Sequence, residues 1–245
     1  MLKLKTIILV FFAVSYCYSW PVYYPSTFLF QNNPYLYYVD NNNLQINSYI
    51  RSCLQYFSYD RLTRHVSYNF LTCNGHYLTK INYKIRILNG RIELLKSILI
   101  QYDGPNRQLQ MICDSMINYC YHYFRSFYLR YGLYLKLKIY CGTSDDESIT
   151  KINVTPYIDY VDANNWAIKF DVNTGEVLND PLICRINLHE LTHLFGLEDA
   201  YYDHHCPNRQ LQSYYNLMTN PWTQEYLELT FNQIEKILYP LCNDR

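Results

Sequence analysis

One short run of residues, 189–199, restricts the fold more than any other feature of the chain. It reads H-E-L-T-H-L-F-G-L-E-D, so His189 and His193 lie four residues apart. Upstream, the Asp-Pro pair at 180–181 predicts the start of a helix that runs to about residue 195. This helix is apolar on nearly all sides, which predicts that it is buried. Because residues four apart share one helical face, both imidazoles can reach a single metal ion.

Burial of the polar side chains in this helix requires a partner for them. An imidazole or a carboxylate without a partner is costly to bury, and a bound metal ion would offset that cost. Glu190 projects to the side of the histidine pair, where it can hold a water at the metal without being a ligand. We therefore expect His189 and His193 to be metal ligands and Glu190 to be the catalytic base. A chance cluster on a helix surface does not fit the apolar surroundings.

A third ligand is expected just beyond the helix. Gly196 can adopt the left-handed conformation that ends a helix and reverses the chain. Asp199 can then return toward the two imidazoles as the third ligand and leave a fourth position for water. Three nearby residues remain alternatives for this role, namely Asp203, His204 and His205.

The N-terminus predicts export. Lys3 and Lys5 precede an apolar run at 7–14, and small residues at 17 and 19 fit a cleavage site after Ser19. The run is well short of the ~20 residues that span a bilayer. We expect a signal peptide at residues 1–19 and a secreted, extracellular protein with no membrane contact after cleavage. An uncleaved membrane anchor is the alternative.

The cysteines predict disulfides. Removal of the signal peptide would take Cys17 and leave an even number, which in an exported chain indicates up to four disulfides. These are Cys53, Cys73, Cys113, Cys120, Cys141, Cys184, Cys206 and Cys242. Cys113 and Cys120 are seven residues apart in a predicted helix, about 10 Å along its axis, so they are expected to pair elsewhere.

Charge and element order define the class of protein. With 21 basic and 21 acidic residues the chain has no net formal charge, and it has no basic run, so nucleic acid is not an expected partner.

Alternating apolar residues predict strands at 81–87 and 133–140, and Asn89-Gly90 predicts a hairpin turn into a further strand at 92–102. Further strands are expected at 152–160 and 166–172. Helices are expected from Pro105 to about Gly132, over the 180–195 region, and from Thr230, where Thr230 and Gln233 fit a capping box. The prediction is an α+β fold with a catalytic domain at 77–245, after a segment at 20–76 that is a pro-segment, a subdomain or a loose extension.

The run H-E-x-x-H-x-x-G-x-x-D, followed by the sequence Asn216-Leu217-Met218, resembles the metzincin clan of zinc peptidases. Asp199 in place of the usual third histidine is similar to the snapalysin-type branch, and Met218 matches the Met-turn of the clan. The resemblance implies a twisted mixed β-sheet with a long backing helix, a buried active-site helix and a C-terminal helix. One departure is Asn220, which stands where several members of the clan have an oxyanion-stabilising tyrosine.

The resemblance implies a zinc-dependent endopeptidase that contains one catalytic Zn²⁺ and acts on a protein or peptide substrate. The substrate would lie along an edge strand at 152–160 or 166–172, and Pro221 and Trp222 would line the specificity pocket. A catalytically silent secreted binding or effector module that retains the fold is the alternative, although it would have no need of Glu190. A thermolysin-like site with Glu225 or Glu228 as the third ligand is a more distant alternative.

Latency is a separate question. Cys53 or Cys73 could occupy the fourth zinc position as a thiolate, as a pro-segment cysteine does in some members of the clan. The even number of cysteines favours disulfides for both residues.

Overall fold

The computed structural model describes six stretches of the chain, residues 34–55, 61–71, 77–156, 161–201, 215–222 and 227–242. The predicted signal peptide lies outside these stretches. So do several residues singled out above, namely Cys73, Asp203, His204, His205, Cys206 and Glu225.

The described residues form a mixed α+β structure with one six-stranded sheet, which confirms the predicted class. The strands are β1 (Arg61–Leu71), β2 (Tyr77–Leu88), β3 (Arg91–Gln101), β4 (Leu133–Cys141), β5 (Thr150–Thr155) and β6 (Asn165–Ala167). The helices are α1 (Pro34–Gln55), α2 (Asn106–Ser115), α3 (Tyr121–Leu129), α4 (Pro181–His193) and α5 (Phe231–Cys242). A π-helical turn at Met116–Cys120 joins α2 and α3 into one long helix. Not one of the described helices combines the length and the apolar character that a membrane crossing requires.

The sheet has an antiparallel part and a parallel part. β1, β2 and β3 are antiparallel neighbours, whereas β4 and β5 pair in parallel with β3, and β6 pairs in parallel with β5. β4 runs along one edge of β3. The other edge of β3 pairs first with β2, up to Leu95, and then with β5, from Ile98. The parallel strands β3 and β4 are connected by the long helix, as parallel pairing requires a crossover.

Turn residues explain two of the connections. Asn89 and Gly90 have φ values of 52° and 68°, the left-handed pair that a two-residue hairpin turn needs, and they join β2 to β3 as predicted. The long helix stops before Gly132, whose φ of 71° is suited to the end of a helix. The predicted strands at 81–87, 92–102 and 133–140 are confirmed by β2, β3 and β4.

The predicted strand at 166–172 is wrong in its length, because β6 ends at Ala167. The Asp171 side chain accepts hydrogen bonds from the backbone N–H groups of Asn173 and Thr174, and these bonds turn the chain back. Phe170 then forms a bridge with Val177. The predicted strand at 152–160 corresponds to β5, which ends at Thr155, and residues 157–160 lie outside the described stretches.

Parts of the 20–76 segment pack against the rest of the fold. β1 pairs with β2 along its length, and α1 contacts α5, where the rings of Tyr49 and Phe231 meet edge to face at 5.5 Å. Ile46 and Ile50 on α1 are buried in the main hydrophobic core. These contacts join α1 and β1 to the predicted catalytic domain, and whether the chain is cut near residue 76 stays a prediction.

Three disulfides lie within the described stretches. They join Cys53 to Cys242, Cys113 to Cys141, and Cys120 to Cys184. Cys113 and Cys120 therefore pair elsewhere, as the helix geometry predicts. The Cys120–Cys184 bond fixes α4 to the π-helical turn, and Cys53 is in a disulfide and not a free thiol.

Replacement of both Cys53 and Cys242 by Ser is expected to lower the free energy of unfolding by about 2–5 kcal/mol. This bond joins residues 189 positions apart, so its removal greatly enlarges the unfolded ensemble. Urea unfolding of the variant and the wild type measures the loss. Unchanged stability would show that α1 is not held on α5 in solution.

Lys96 occupies the point where β2 leaves β3. Its side chain is only 2% exposed, and its ammonium group donates a hydrogen bond to the Asn82 carbonyl at 2.7 Å. Burial lowers the pKa of Lys96 from 10.5 to about 7, because a buried ammonium loses its hydration.

This pKa makes the stability of the protein depend on pH. Between pH 7 and 10.5 the unfolded chain binds a proton at Lys96 that the folded chain has lost, so stability rises with pH in that window. In the absence of metal, we expect the stability of the wild type relative to that of Lys96→Met to rise by about 3 kcal/mol between about pH 7 and pH 10. Urea unfolding across this range checks it, and identical pH profiles for the two proteins would refute it.

Candidate metal centre

α4 begins where the sequence predicts. The Asp180 carboxylate accepts a hydrogen bond from the Leu182 N–H at 2.8 Å, and it forms an ion pair with Lys169 at 2.9 Å. Pro181 occupies the first turn, where its missing N–H costs nothing. The helix ends at His193, slightly earlier than expected, and a tight turn follows through Gly196.

Buried polar contacts fix the orientation of α4. The Asn187 side chain accepts from the Ala167 N–H and donates to the Ala167 carbonyl, both at 2.9 Å. The Thr192 hydroxyl donates to the Leu188 carbonyl and also contacts the Tyr128 hydroxyl at 3.0 Å. Because the Asn187 and Thr192 side chains are fully buried, these bonds set how the helix presents its histidines.

Backbone carbonyls orient both imidazoles. His189 Nδ1 lies 2.9 Å from the Leu217 carbonyl, and His193 Nδ1 lies 2.7 Å from the Leu197 carbonyl. A carbonyl oxygen only accepts, so each Nδ1 carries the hydrogen and each Nε2 of a neutral ring is left as an acceptor. The arrangement is typical of metal-binding histidines, whose second nitrogen is held by a carbonyl or a carboxylate.

The two Nε2 atoms and one Asp199 oxygen converge. The Nε2 atoms of His189 and His193 are 3.2 Å apart. Asp199 Oδ1 lies 3.0 Å from the Nε2 of His189 and 3.3 Å from the Nε2 of His193. Tetrahedral zinc with bonds of about 2.0–2.1 Å places its ligand atoms about 3.3 Å from one another. The spacing of these three atoms and their chemistry therefore fit a zinc ion. Without a cation among them, three acceptors so close would repel one another.

Glu190 lies beside this triangle. Its two carboxylate oxygens are each 3.8 Å from one imidazole Nε2, farther away than the Asp199 oxygen. His189, Glu190 and His193 are buried and form a group that can hold a metal ion. Asp199 is not counted in that group, although its Oδ1 lies closer to both Nε2 atoms than the Glu190 oxygens do. Elsewhere in the described stretches, no group of three or more His, Cys, Asp or Glu side chains meets that geometry.

The two carboxylates have opposite electrostatic environments in the absence of metal. Burial raises the pKa of Glu190 to about 8, and the nearby Asp199 carboxylate adds to the rise. Burial also acts to raise the pKa of Asp199, but hydrogen bonds from His189 and His193 outweigh it and hold that pKa far below its usual value. Without metal, these bonds form when an imidazole takes up a second proton at Nε2, which it can then donate to the Asp199 carboxylate. Asp199 is therefore the stable anion of the site, and Glu190 is the group suited to exchange a proton.

Gly196 makes the turn that returns Asp199 to the histidines. Its φ is 86°, and its N–H donates to the His193 carbonyl at 2.8 Å. A Cβ added at this position would overlap the hydroxyl of Tyr68 on β1. Both the backbone conformation and the close approach of Tyr68 therefore require glycine.

Gly196→Ala is expected to destabilise the protein by about 2–4 kcal/mol and to weaken metal binding, because the turn positions Asp199. Gly175→Ala is the matched control, since Gly175 has a φ of 67° and no close neighbour for an added Cβ. Thermal unfolding should show the larger loss at Gly196, and Tyr68→Phe should recover part of the difference. Equal losses at both glycines would contradict the role of Tyr68.

A second turn supports His189 from the other side. Met218 is fully buried, and its N–H donates to the Asn216 side chain at 2.9 Å. The Asn216 amide also bonds the Gln233 side chain at 2.8 Å, while Gln233 accepts from the Thr230 N–H as the predicted capping box requires. This network holds the Leu217 carbonyl against His189. The role of Asn216 in this network was not predicted from the sequence, although Asn216 belongs to the Asn216-Leu217-Met218 run that pointed to Met218.

A cavity of about 310 Å³ opens beside the metal group. Its lining combines apolar residues with polar ones: Val161, Ile186, Pro221 and Trp222, and His189, Glu190, Tyr201 and Thr219. Pro221 and Trp222 thus line a cavity together with His189 and Glu190, and its role as a specificity pocket stays a prediction. The cavity can accept an apolar group next to the metal position.

Of the remaining candidates, Glu228 and Asn220 lie in the described stretches, whereas Asp203, His204, His205 and Glu225 do not. Glu228 is buried, and its backbone pairs with that of Tyr215 and Leu217, but it does not belong to the group that can hold a metal. Asn220 donates its backbone N–H to the Asn216 carbonyl.

The expected substrate edge is already occupied. β5 is paired on both sides, so of the two candidate strands only β6 lies at the end of the described sheet. The outward backbone groups of Asn165 bond those of Asp162, and those of Ala167 bond the Asn187 side chain. A substrate cannot add to β6 at these positions without displacing the protein's own groups.

A comparison of the chain with protein-family models, curated proteins and solved structures finds no match. A function is therefore argued from the geometry of the metal group.

Proposed function

We propose that this protein is a secreted zinc-dependent endopeptidase. The observation that carries the proposal is the convergence of three acceptor atoms, from His189, His193 and Asp199, within 3.0–3.3 Å of one another. Glu190 lies beside them with both carboxylate oxygens 3.8 Å from an imidazole nitrogen. In this proposal His189, His193 and Asp199 are the zinc ligands, and Glu190 is the general base.

The chemistry of the proposed reaction is hydrolysis of a peptide bond. Zinc held at this position supplies a Lewis acid that polarises the scissile carbonyl and makes water more acidic. Glu190 takes a proton from the attacking water as the C–O bond forms. It then gives that proton to the leaving nitrogen as the C–N bond breaks. The negative charge of Asp199 makes the site a weaker Lewis acid than three neutral histidines would.

The surroundings of the site support a peptide substrate. The cavity lined by Val161, Ile186, Pro221 and Trp222 can take an apolar side chain of a peptide whose scissile bond lies at the metal. Because the backbone of β6 is occupied at 165 and 167, substrate recognition in this proposal depends more on this cavity than on strand pairing there.

The fold and the disulfides support the remaining parts of the proposal. A mixed sheet, a long helix, the buried helix α4 and the C-terminal helix α5 are the elements that a metzincin-like domain requires. Three disulfides agree with an oxidising, extracellular location.

An assay of the purified protein on unstructured protein substrates tests the proposal. We expect cleavage by zinc-loaded protein, loss of cleavage with a chelator, and recovery when zinc is added back. Zinc-loaded protein that binds peptides but never cleaves them would instead identify the silent binding module.

A further inference from the structure

A second cavity, of about 420 Å³, opens where β2 leaves β3 and lies apart from the metal group. Its lining is strongly cationic. Five basic side chains contribute to it, namely Lys84, Arg86, Lys96, Lys136 and Lys138. The hydroxyl-bearing residues Ser97 and Ser148 also line it. The volume lies in the range of small-molecule binding sites.

Lys96 is the buried cation of this cavity. It is 2% exposed, and its ammonium group, which has three N–H donors, makes one hydrogen bond, to the Asn82 carbonyl. None of the described carboxylates lies within ion-pair distance of it. An ammonium buried without a counter-ion is costly, so the site is suited to an anion that enters the cavity.

Within the described part of the chain, a single carboxylate forms ion pairs with cations of the lining, and it leaves most of their charge unbalanced. Glu93 forms ion pairs with Arg86 and Lys136. Within the described stretches, Lys84 and Lys138 have no ion-pair partner, although both contribute to the cavity. The cavity therefore combines one buried ammonium, two unpaired surface ammonium groups and hydroxyl donors.

We propose that this cavity binds a tetrahedral oxyanion, the phosphate or sulfate group of a small ester, through Lys96 with Lys84 and Lys138. Such a group offers several acceptor oxygens to ammonium donors, and charge-assisted bonds of this kind are the strong ones. The volume leaves room for the organic part of the ester beside Ser97 and Ser148. The site does not depend on the peptidase proposal.

Isothermal titration of the whole protein at low ionic strength and below pH 7, where Lys96 carries its proton, tests the site, with N-acetylglucosamine 6-sulfate and phosphoserine as probes. We expect at least one of them to bind, and the one that binds more tightly identifies the source of the oxyanion. Lys96→Met should weaken binding by about tenfold or more. Lys80→Met is the matched control, because Lys80 is exposed on β2 and does not line the cavity.

A second variant covers the case in which Lys96→Met unfolds. Lys84 and Lys138 are both exposed, so Lys84→Gln combined with Lys138→Gln should leave the fold intact and still weaken binding. Two results would overturn the proposal. One is that neither probe gives heat beyond that of sodium chloride at equal ionic strength. The other is that the double variant binds as the wild type does.

Discussion

Glu190→Gln is expected to lower peptide hydrolysis by about 10²–10⁴-fold while zinc stays bound. Gln has nearly the same shape as Glu but cannot accept the proton of the attacking water. Because Glu190 is farther from the imidazole nitrogens than Asp199, its loss should leave the three proposed ligands in place. Turnover of a fluorogenic peptide and zinc content, measured on the same sample, check both parts.

Glu176→Gln is the matched control, because Glu176 is exposed and lies outside the cavity at the metal group. This variant should retain the activity of the wild type. Full activity in Glu190→Gln would refute the base assignment. Loss of zinc together with activity would show that Glu190 is a ligand.

Removal of the metal is expected to produce the second large effect, a loss of stability. The three converging acceptor atoms repel one another when no cation lies between them, so the folded state binds zinc in a way that the unfolded chain cannot. Free zinc at about a thousand times its dissociation constant should stabilise the protein by about 4 kcal/mol. Thermal unfolding with chelator and with added zinc measures the difference.

His193→Ala is the comparison for this measurement, since it removes one acceptor and should abolish the response to zinc. An equal rise in the melting temperature of the variant and the wild type would place the stabilising zinc elsewhere. The absence of any rise in the wild type would contradict the proposed site.

Local sequence signals predicted much of the fold, and they predicted that His189, His193 and Asp199 lie close to one another. The Asp180-Pro181 start of α4, the Asn89-Gly90 turn and the capping box of α5 depend on neighbouring residues, and each lies where it was predicted. The two histidines are four residues apart, so their closeness likewise follows from helix geometry alone.

Features that depend on distant residues could not be predicted in this way. No helix was predicted in the 20–76 segment, because α1 is held by its contact with α5, to which Cys53 is joined across 189 positions. The carbonyls of Leu197 and Leu217 orient the two imidazoles, yet a backbone group leaves no mark in the sequence. The contact of Tyr68 with the turn at Gly196 also depends on sheet pairing, which sequence alone did not reveal.

Zinc content after equilibrium dialysis tests the central claim most directly. Wild-type protein, dialysed against a zinc buffer and then against metal-free buffer, should retain one ion per chain, and Asp199→Ala and His193→Ala should each retain far less. If the wild type holds no zinc, or if Asp199→Ala retains as much as the wild type, the three-ligand site does not exist as proposed.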